Sequence, residues 1–489
     1  MALKIYNTLS RLKEEFHPIN EGKVGIYVCG PTVYGHSHVG HAKSYISFDI
    51  IVRYLRFLGY QVRYVQNITD VGHLLGDTNE GEDRLLRASR LEQKHPMQIA
   101  EEYTRSYFED MDALGVTRPD ISPRATGHIL EQIELVEELI KKGYAYEVNG
   151  SVYFDVSKDP DYGKLSGRNT EEVESGTRVE VKSEKRHPND FALWKKAEPE
   201  HIMRWKSPWG VGFPGWHVEC SAMSMKYLGI PFDIHGGGMD NQFPHHECEI
   251  AQSEKATGKQ FVKYWIHNNL VTVSGQKMSK SLGNVILLKD LFRKYSPLVI
   301  RFFVLQSHYR STLDFSDEAL SGAARGLERI TNTVRNVKTE LSKLQKDFKN
   351  ELPESRGTSI DLNGFRNAFL EAMDDDFNTP QAIAVLFDLG REVNSLLTEG
   401  LENQDLLKEL EKFYQDFGGK ILGIISEKDD AYKMGDSLVM ENLLRIILDI
   451  RAEIRNRKLW DLSDKIRSQL LNAGIIIEDT KDGTKWRLG

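Results

Sequence analysis

The chain has 489 residues, too many for one compact domain; at roughly 100–200 residues each, about three or four domains are expected. With 40% hydrophobic and 28% charged residues it is neither a disordered chain nor a fibre, no apolar run approaches the ~18 residues of a membrane span, and three cysteines cannot build a disulfide framework. The formal net charge of −8, from 64 basic and 72 acidic residues, argues at face value against a nucleic-acid partner.

The opening stretch Met1–Phe16 mixes Lys4, Arg11, Lys13 and Glu14 with apolar residues and has no signal-peptide core. With so few cysteines, this points to a reducing cytoplasm. Val24–Val28 reads as a strand closed by the turn Cys29-Gly30-Pro31. Ile46, Ile50, Ile51, Tyr54, Leu55 and Leu58 then recur at helical spacing, and Gln61–Val65 returns to strand. Strand, turn, helix and strand make a βαβ unit, so the class is α/β with a parallel sheet. Residues 121–205 read as an insertion, because Asn149-Gly150 between two β-rich runs signals a type I′ hairpin. Phe232–His235, a glycine run and a helix from near Pro244 resume the earlier rhythm. One nucleotide-binding fold, 1–120 and 206–284, is thus split by an insert. Beyond about residue 290 the chain turns helical. Ile330, Val334, Val337, Leu341, Leu344 and Phe348 form a stripe, and Asn378-Thr379-Pro380 supplies a cap and a first-turn proline. Glycines 418, 419 and 423 with Ser426–Asp436 read as a linker, separating a bundle (331–425) from a terminal unit (437–489).

Two constellations carry phosphate chemistry. His38-Val39-Gly40-His41 follows a strand and opens a helix, where backbone N–H groups attract phosphate and the glycine lets a base or sugar approach. Lys277-Met278-Ser279-Lys280-Ser281, framed by glycines, suits a loop that brings cations onto a polyphosphate as charge builds on it. In this order, the pair resembles the two signatures of class I aminoacyl-tRNA synthetases. The first differs from the usual form by Val39 for isoleucine.

Cys29, Cys220, His245 and Glu249 form a possible tetrahedral zinc set, His245 and Glu249 sharing a helix face at i, i+4. The alternative is that the cysteines are small buried hydrophobes, and Cys248, some 100° around the helix from Glu249, is read as filler. Cys29-Gly-Pro-Thr-Val-Tyr34, Asn67-Ile-Thr-Asp70, Ser207-Pro-Trp-Gly210, Pro214-Gly-Trp-His217, Glu219-Cys-Ser-Ala-Met223 and Pro244-His-His-Glu247 resemble the cysteinyl-tRNA synthetase family over essentially the whole chain. Phe213 stands where many members carry arginine.

The resemblance implies a Rossmann-like parallel-sheet catalytic domain split by an inserted subdomain, then an α-helical bundle and a small C-terminal anticodon-binding domain. Residues 285–330 would contact the acceptor stem. It implies ligation of L-cysteine to tRNA(Cys) through a cysteinyl-adenylate, with Mg²⁺-ATP and one Zn²⁺ held by Cys29, Cys220, His245 and Glu249. His38, His41, Lys277 and Lys280 would stabilise developing charge. Gly40, Gly237, Asp240 and Lys280 would hold ATP, while Cys29, Thr69 and Trp216 would meet the amino acid. Cysteine and serine differ by one atom, which shape discriminates poorly. A zinc that reads softness removes the need for editing, and the insert looks too short for a hydrolytic domain. Between Arg451 and Arg467 stand six basic and three acidic residues around Trp460, a locally basic stretch with an aromatic that suits unstacked RNA bases. The resemblance assigns Arg455, Trp460 and Asp464 to the anticodon. A cytoplasmic monomer without membrane association is expected.

Overall fold

The computed structural model describes residues 2–71, 84–168, 184–279, 282–346, 360–425, 430–472, 475–480 and 483–488. Its centre is a four-stranded sheet in the order Val262–Asn268, Phe232–Gly238, Lys23–Val28, Gln61–Gln66, with every neighbouring pair parallel. Val24, Ile26, Tyr27 and Val28 are all buried, as a parallel strand covered on both faces requires. The helix Val39–Phe57 crosses from the third strand to the fourth and buries Ile46, Ile50, Ile51, Tyr54 and Leu55. Single parallel bridges from Val65 to Ile121 and from Ile68 to Arg124 carry the sheet on past its fourth strand.

The insert folds as a five-stranded antiparallel sheet in the order Ala145–Val148, Ser151–Phe154, Phe191–Lys196, Gly210–Pro214, Trp205–Ser207. Its first hairpin turns at Asn149 (φ 53°) and Gly150 (φ 87°), both left-handed as a type I′ turn demands. The sheet runs to Pro214, past the boundary expected at 205. Ser207 Oγ donates to the Gly210 carbonyl and closes a second hairpin that keeps Gly210–Pro214 with the insert. Cys248 is fully buried against this unit, 3.5 Å from the Tyr162 hydroxyl.

Downstream, Leu313–Phe315 pairs in parallel with Val271–Val273, which also pairs with Gln276–Lys277. The long helix Asp317–Lys346 buries Ile330, Val334, Val337 and Leu341 and packs against Pro297–Leu305, Thr379–Thr398 and Gln404–Phe413, while Leu362–Asp374 packs on Thr379–Thr398. Leu344 is partly buried, and Phe348 lies outside the described residues. Asn378 caps the third of these helices by accepting from the Gln381 N–H. The expected glycine linker is instead tight packing. A Cβ on Gly418 would lie 2.4 Å from Ile425, and Gly423 (φ +63°) lies against the Arg301 guanidinium.

Two buried polar clusters fasten the bundle to the sheet domain. Arg301 donates to Asp49 at 2.5 Å and to the carbonyls of Leu422, Leu114 and Gly115. Three consecutive acids each hold a different partner: Asp374 accepts from the Tyr54 hydroxyl, and Asp375 from Lys13. Asp376 accepts from the Tyr6 N–H, the Tyr309 hydroxyl and Arg310. Asp376 and Phe377 both sit in the left-handed region, at φ 63° and 55°, which costs on the order of 1–3 kcal/mol each. Those three hydrogen bonds offset the strain at Asp376.

Residues 426–489 form a second compact unit. It comprises the helices Asp430–Asn456 and Trp460–Asn472 and the hairpin Ile475–Thr480/Gly483–Leu488, around Leu444, Leu470, Ile475 and Ile477. The first helix begins at Asp430, within the stretch expected to be a linker.

Candidate active site and metal centre

The carboxyl ends of the parallel strands open into a cavity of about 380 Å³, where open α/β sheets place their ligands. Cys29 follows one strand, Asn67 and Thr69 follow another, Gly238 ends a third with Asp240 just beyond it, and Asn268 ends the fourth with Asn269 next, all lining the cavity. Trp216, Cys220 and His245 line it as well, as do His38, Gly40, His41, Lys277 and Met278. Two sequence regions some 240 residues apart therefore share one chamber. Gly237 does not reach it. Gly237 is buried within its strand, and a Cβ there would meet His246 at 2.8 Å.

At one end, His38 and His41 cap the helix Val39–Phe57 reciprocally. The His41 N–H donates to His38 Nδ1 and the His38 N–H to His41 Nδ1, the rings stacking at 3.9 Å. Each Nδ1 accepts, so the neutral imidazoles carry their proton on Nε2 and present it as a donor. A Cβ on Gly40 would sit 3.0 Å from the His38 ring and 3.2 Å from the Met278 methyl. Glycine is what lets the lysine loop lie against the first motif. Main-chain bonds from Val39 to Ile286 and from Leu288 to Ser37 fix that apposition. Asn284 accepts from the Ser279 N–H and donates to the Lys277 carbonyl, clipping the loop across its base. Lys277 is exposed at the cavity wall, and Lys280 lies outside the described residues. Asp240 is exposed at the rim.

At the other end, one donor atom each from Cys29, Cys220, His245 and Glu249 lies within 4.8 Å of the others, all four residues buried. A tetrahedral site with bonds of ~2.0–2.3 Å needs donors roughly 3.3–3.8 Å apart, so the cluster must draw in by up to about 1 Å to close on a metal. Charges already suit a cation. Against the cost of burial, hydrogen bonds from Cys29 and His245 bring the Cys220 thiol down to about 6. His235 and His245 hold Glu249 at about 2 despite its burial. Burial pushes the Cys29 thiol well up, as do Cys220 and Glu249 beside it. Trp216 stacks on His245 at 4.2 Å. Thr69 is buried, its hydroxyl accepting from Asn67.

Sequence reasoning missed the histidines behind these donors. His217 Nδ1 lies 2.9 Å from His245 Nδ1, so with His245 Nε2 turned to a metal the proton sits on Nδ1 and goes to His217. His235 Nε2 holds the second Glu249 oxygen at 2.8 Å. His246 and His267 extend a chain from the thiol. Cys29 Sγ to His246 Nε2 is 3.2 Å, His246 Nδ1 to His267 Nε2 is 2.8 Å, and His267 Nδ1 to the Thr8 hydroxyl is 2.8 Å. Burial and neighbouring histidines push His246 well down and His267 to about 3, so both rings are neutral. A consistent set of tautomers runs the donors from Thr8 toward the Cys29 sulfur. The available signal was His235 and His267 on two adjacent strands, two register positions apart and therefore on the same face of the sheet. Phe213, buried, stacks on His201 at 4.2 Å.

In the second unit, Trp460 is exposed at the start of its helix, with Asp464 exposed one turn on and Arg455 half-buried. Arg451, counted in the basic stretch, is buried and adds nothing to that surface. Among the described residues no helix is long and apolar enough to cross a membrane.

A family model described as the class I (C) tRNA synthetase catalytic domain matches residues 15–325, and one described as a DALR domain matches 368–426. The second match falls on the helical bundle. Among solved structures, Mycobacterium tuberculosis methionyl-tRNA synthetase in complex with methionyl-adenylate superposes with a TM-score of 0.59 at 18% identity, covering 85% of this chain and 93% of that one. An Agrobacterium radiobacter LeuRS–tRNA–LeuAMS ternary complex gives 0.58 at 13% identity, covering 86% of each. Fold and catalytic-domain match together define a class I aminoacyl-tRNA synthetase, a ligase whose partners are tRNA, an amino acid and ATP. Curated relatives named cysteine–tRNA ligase are 56% identical in Chlorobium chlorochromatii over 99% of both chains, and 50% identical in Thermus thermophilus over 100% of both. The Deinococcus radiodurans relative is 52% identical over 99% of this chain and 96% of its own. The chain belongs to the cysteine–tRNA ligase family.

Proposed function

We propose that the protein charges tRNA(Cys) with L-cysteine through a cysteinyl-adenylate. The observation that carries this is the single cavity with soft donors and an aromatic at one end and capped imidazoles with a lysine loop at the other. Such a chamber suits an amino acid whose side chain is a thiol and whose carboxylate meets a triphosphate.

Two donor sets could hold a metal, since Cys29, His235, His246 and Glu249 also lie within 4.8 Å of one another. The set Cys29, Cys220, His245 and Glu249 is favoured. Cys29, Cys220 and His245 face the cavity, whereas His235 gives its Nε2 proton to Glu249 and stacks on Trp265. Zinc held there would favour a thiolate over a hydroxyl and supply selectivity that shape cannot. His217 and His235 orient its ligands, and the neutral His246 supports the Cys29 sulfur. Trp216 and Thr69 wall the amino-acid end.

The cysteine carboxylate attacks the α-phosphorus of Mg²⁺-ATP in line; its oxygen–phosphorus bond forms as the bond to pyrophosphate breaks. His38 and His41 donate from Nε2 to phosphate oxygens, and Lys277 and Lys280 stabilise charge on the leaving group. Asp240 accepts from the ribose hydroxyls, with Gly40 giving room for the nucleotide. The terminal ribose hydroxyl of tRNA then takes the acyl group and releases AMP, residues 285–330 meeting the acceptor stem. Arg455, Trp460 and Asp464 read the anticodon. No editing is expected, because the insert is a five-stranded sheet whose core is shared with Val218, Ala222, Cys248 and Ala251 of the catalytic domain. The three cysteines are free and buried, which suits a monomer working in a reducing cytoplasm. Zinc-loaded protein should catalyse cysteine-dependent, serine-insensitive ATP–pyrophosphate exchange and aminoacylate a tRNA(Cys) transcript. Absence of that exchange ends this reading.

A further inference from the structure

In the helical bundle, away from the cavity just described, the helices Asp317–Lys346 and Thr379–Thr398 leave a groove of about 210 Å³ between them. Its floor is Ile330, Thr333, Leu386 and Gly390. Its rim carries Arg329, Asn332 and Asn336 from one helix and Arg391 and Asn394 from the other, and no carboxylate lines it. The volume is below the ~300–1,000 Å³ of pockets that take a whole drug-sized molecule. It suits one phosphate and the edge of its sugar.

The donors are held ready. The Arg329 guanidinium lies over the Phe387 ring at 5.2 Å and makes no hydrogen bond or ion pair among the described residues, which leaves its fork of N–H groups open. Elsewhere Arg56 is paired with Asp120, Arg118 with Asp112 and Arg124 with Glu101. Arg391 has one contact, to Asp388 at 2.5 Å, and keeps its remaining donors. The side-chain amides of Asn332 and Asn336 have no hydrogen-bond partner among the described residues, and Asn394 is braced by Thr333. A guanidinium parked on an aromatic face has already lost its rotamer freedom, and a planar fork matches phosphate oxygens. Neutral amide donors beside it contact a polyanion without regard to sequence.

We propose that this groove grips one backbone phosphate of the bound tRNA, with Arg329 and Arg391 as its cations. The inference rests on tRNA charging as read above and deepens it: it names two backbone-phosphate cations, one, Arg329, at the end of the segment 285–330 and the other, Arg391, on a helix given no tRNA contact above. The test is Arg329→Gln with Arg391→Gln in the full chain, read by tRNA aminoacylation across a sodium chloride series and by cysteine-dependent pyrophosphate exchange. KM for tRNA should rise on the order of tenfold, the size of a lost charge-assisted contact. The slope of log(kcat/KM) against log salt should become shallower by roughly one to two. Arg329→Lys, which keeps the charge and loses the fork, should fall between. Exchange should be unchanged, since it uses no tRNA. Unaltered KM and salt slope would overturn the proposal. So would equal loss in exchange, which would make the two arginines supports of the bundle. If wild-type protein shows no exchange, the charging reading fails and this inference falls with it; intact wild-type exchange with silent variants removes the groove alone.

Discussion

Asp49→Ala removes the anionic centre of the buried cluster that joins the first motif's helix to the bundle. Asp49 and Arg301 are both fully buried, and Arg301 meets the carboxylate at 2.5 Å while Arg53 meets it at 2.7 Å. Deleting one partner of such a pair costs about 3–5 kcal/mol, because the other charge stays behind in a dry site. The Leu422, Leu114 and Gly115 carbonyls still receive Arg301, which favours the lower end. The Thr117 N–H also loses its acceptor, for about 1 kcal/mol more. The sum is about 4 kcal/mol against a typical total of roughly 5–15 kcal/mol. At about 2–4 °C per kcal/mol, the melting midpoint should fall by about 8–16 °C. Differential scanning calorimetry measures it, with pyrophosphate exchange at 15 °C confirming that the variant is still folded. Adding Arg301→Met should restore part of the loss, since the stranded charge is gone. A midpoint shift under about 2 °C, or strictly additive losses in the double variant, would refute the reasoning.

His217→Ala takes away the group that receives the His245 Nδ1 proton, and chelator competition should show zinc affinity down about 10–100-fold; retained affinity would mean the pair does not orient the ligand. Trp460→Ala should raise KM in tRNA charging while sparing pyrophosphate exchange, and equal loss in both would place Trp460 in the fold. Burial raises Asp110 to about 6, although Lys289 and the Ser37 donors pull it down. The native state thus binds more protons than the unfolded chain between about pH 4 and 6. Stability contributed by the neutral acid is present below pH 4 and lost as pH rises through 6. Asp110→Asn should therefore flatten the stability profile between pH 4 and 7 by on the order of 2 kcal/mol, and an unchanged profile from chemical denaturation would exclude Asp110 as its source.

Periodicity and turn chemistry were enough for the parts of the fold that local rules decide. Asn149-Gly150 can hardly be other than a tight turn, and the stripe Ile330–Leu341 can hardly be other than a helix facing a core. Donor types likewise marked Cys29, Cys220, His245 and Glu249 before any coordinates. The histidine chain was not legible, because His246 and His267 come from separate elements and meet only after the sheet has paired. Nor were the roles of Gly418 and Gly423, where a turn residue and a packing residue have the same letter and the deciding atoms belong to Ile425 and Arg301. Nor were the partners of Asp374–Asp376, since Tyr54, Lys13 and Tyr6 come from the first part of the chain.

That acidic triplet also sets a schedule for biosynthesis. Tyr6 and Asp376 stand 370 positions apart, and at about 5–20 residues per second the ribosome needs roughly 20–70 s to join them. Throughout that interval the hairpin Lys4–Asn7/Leu12–Glu15 is finished while the acids that fasten it do not yet exist. The order in which this protein becomes whole is therefore not the order in which it emerges: its earliest-made hairpin is among the last pieces to be locked down.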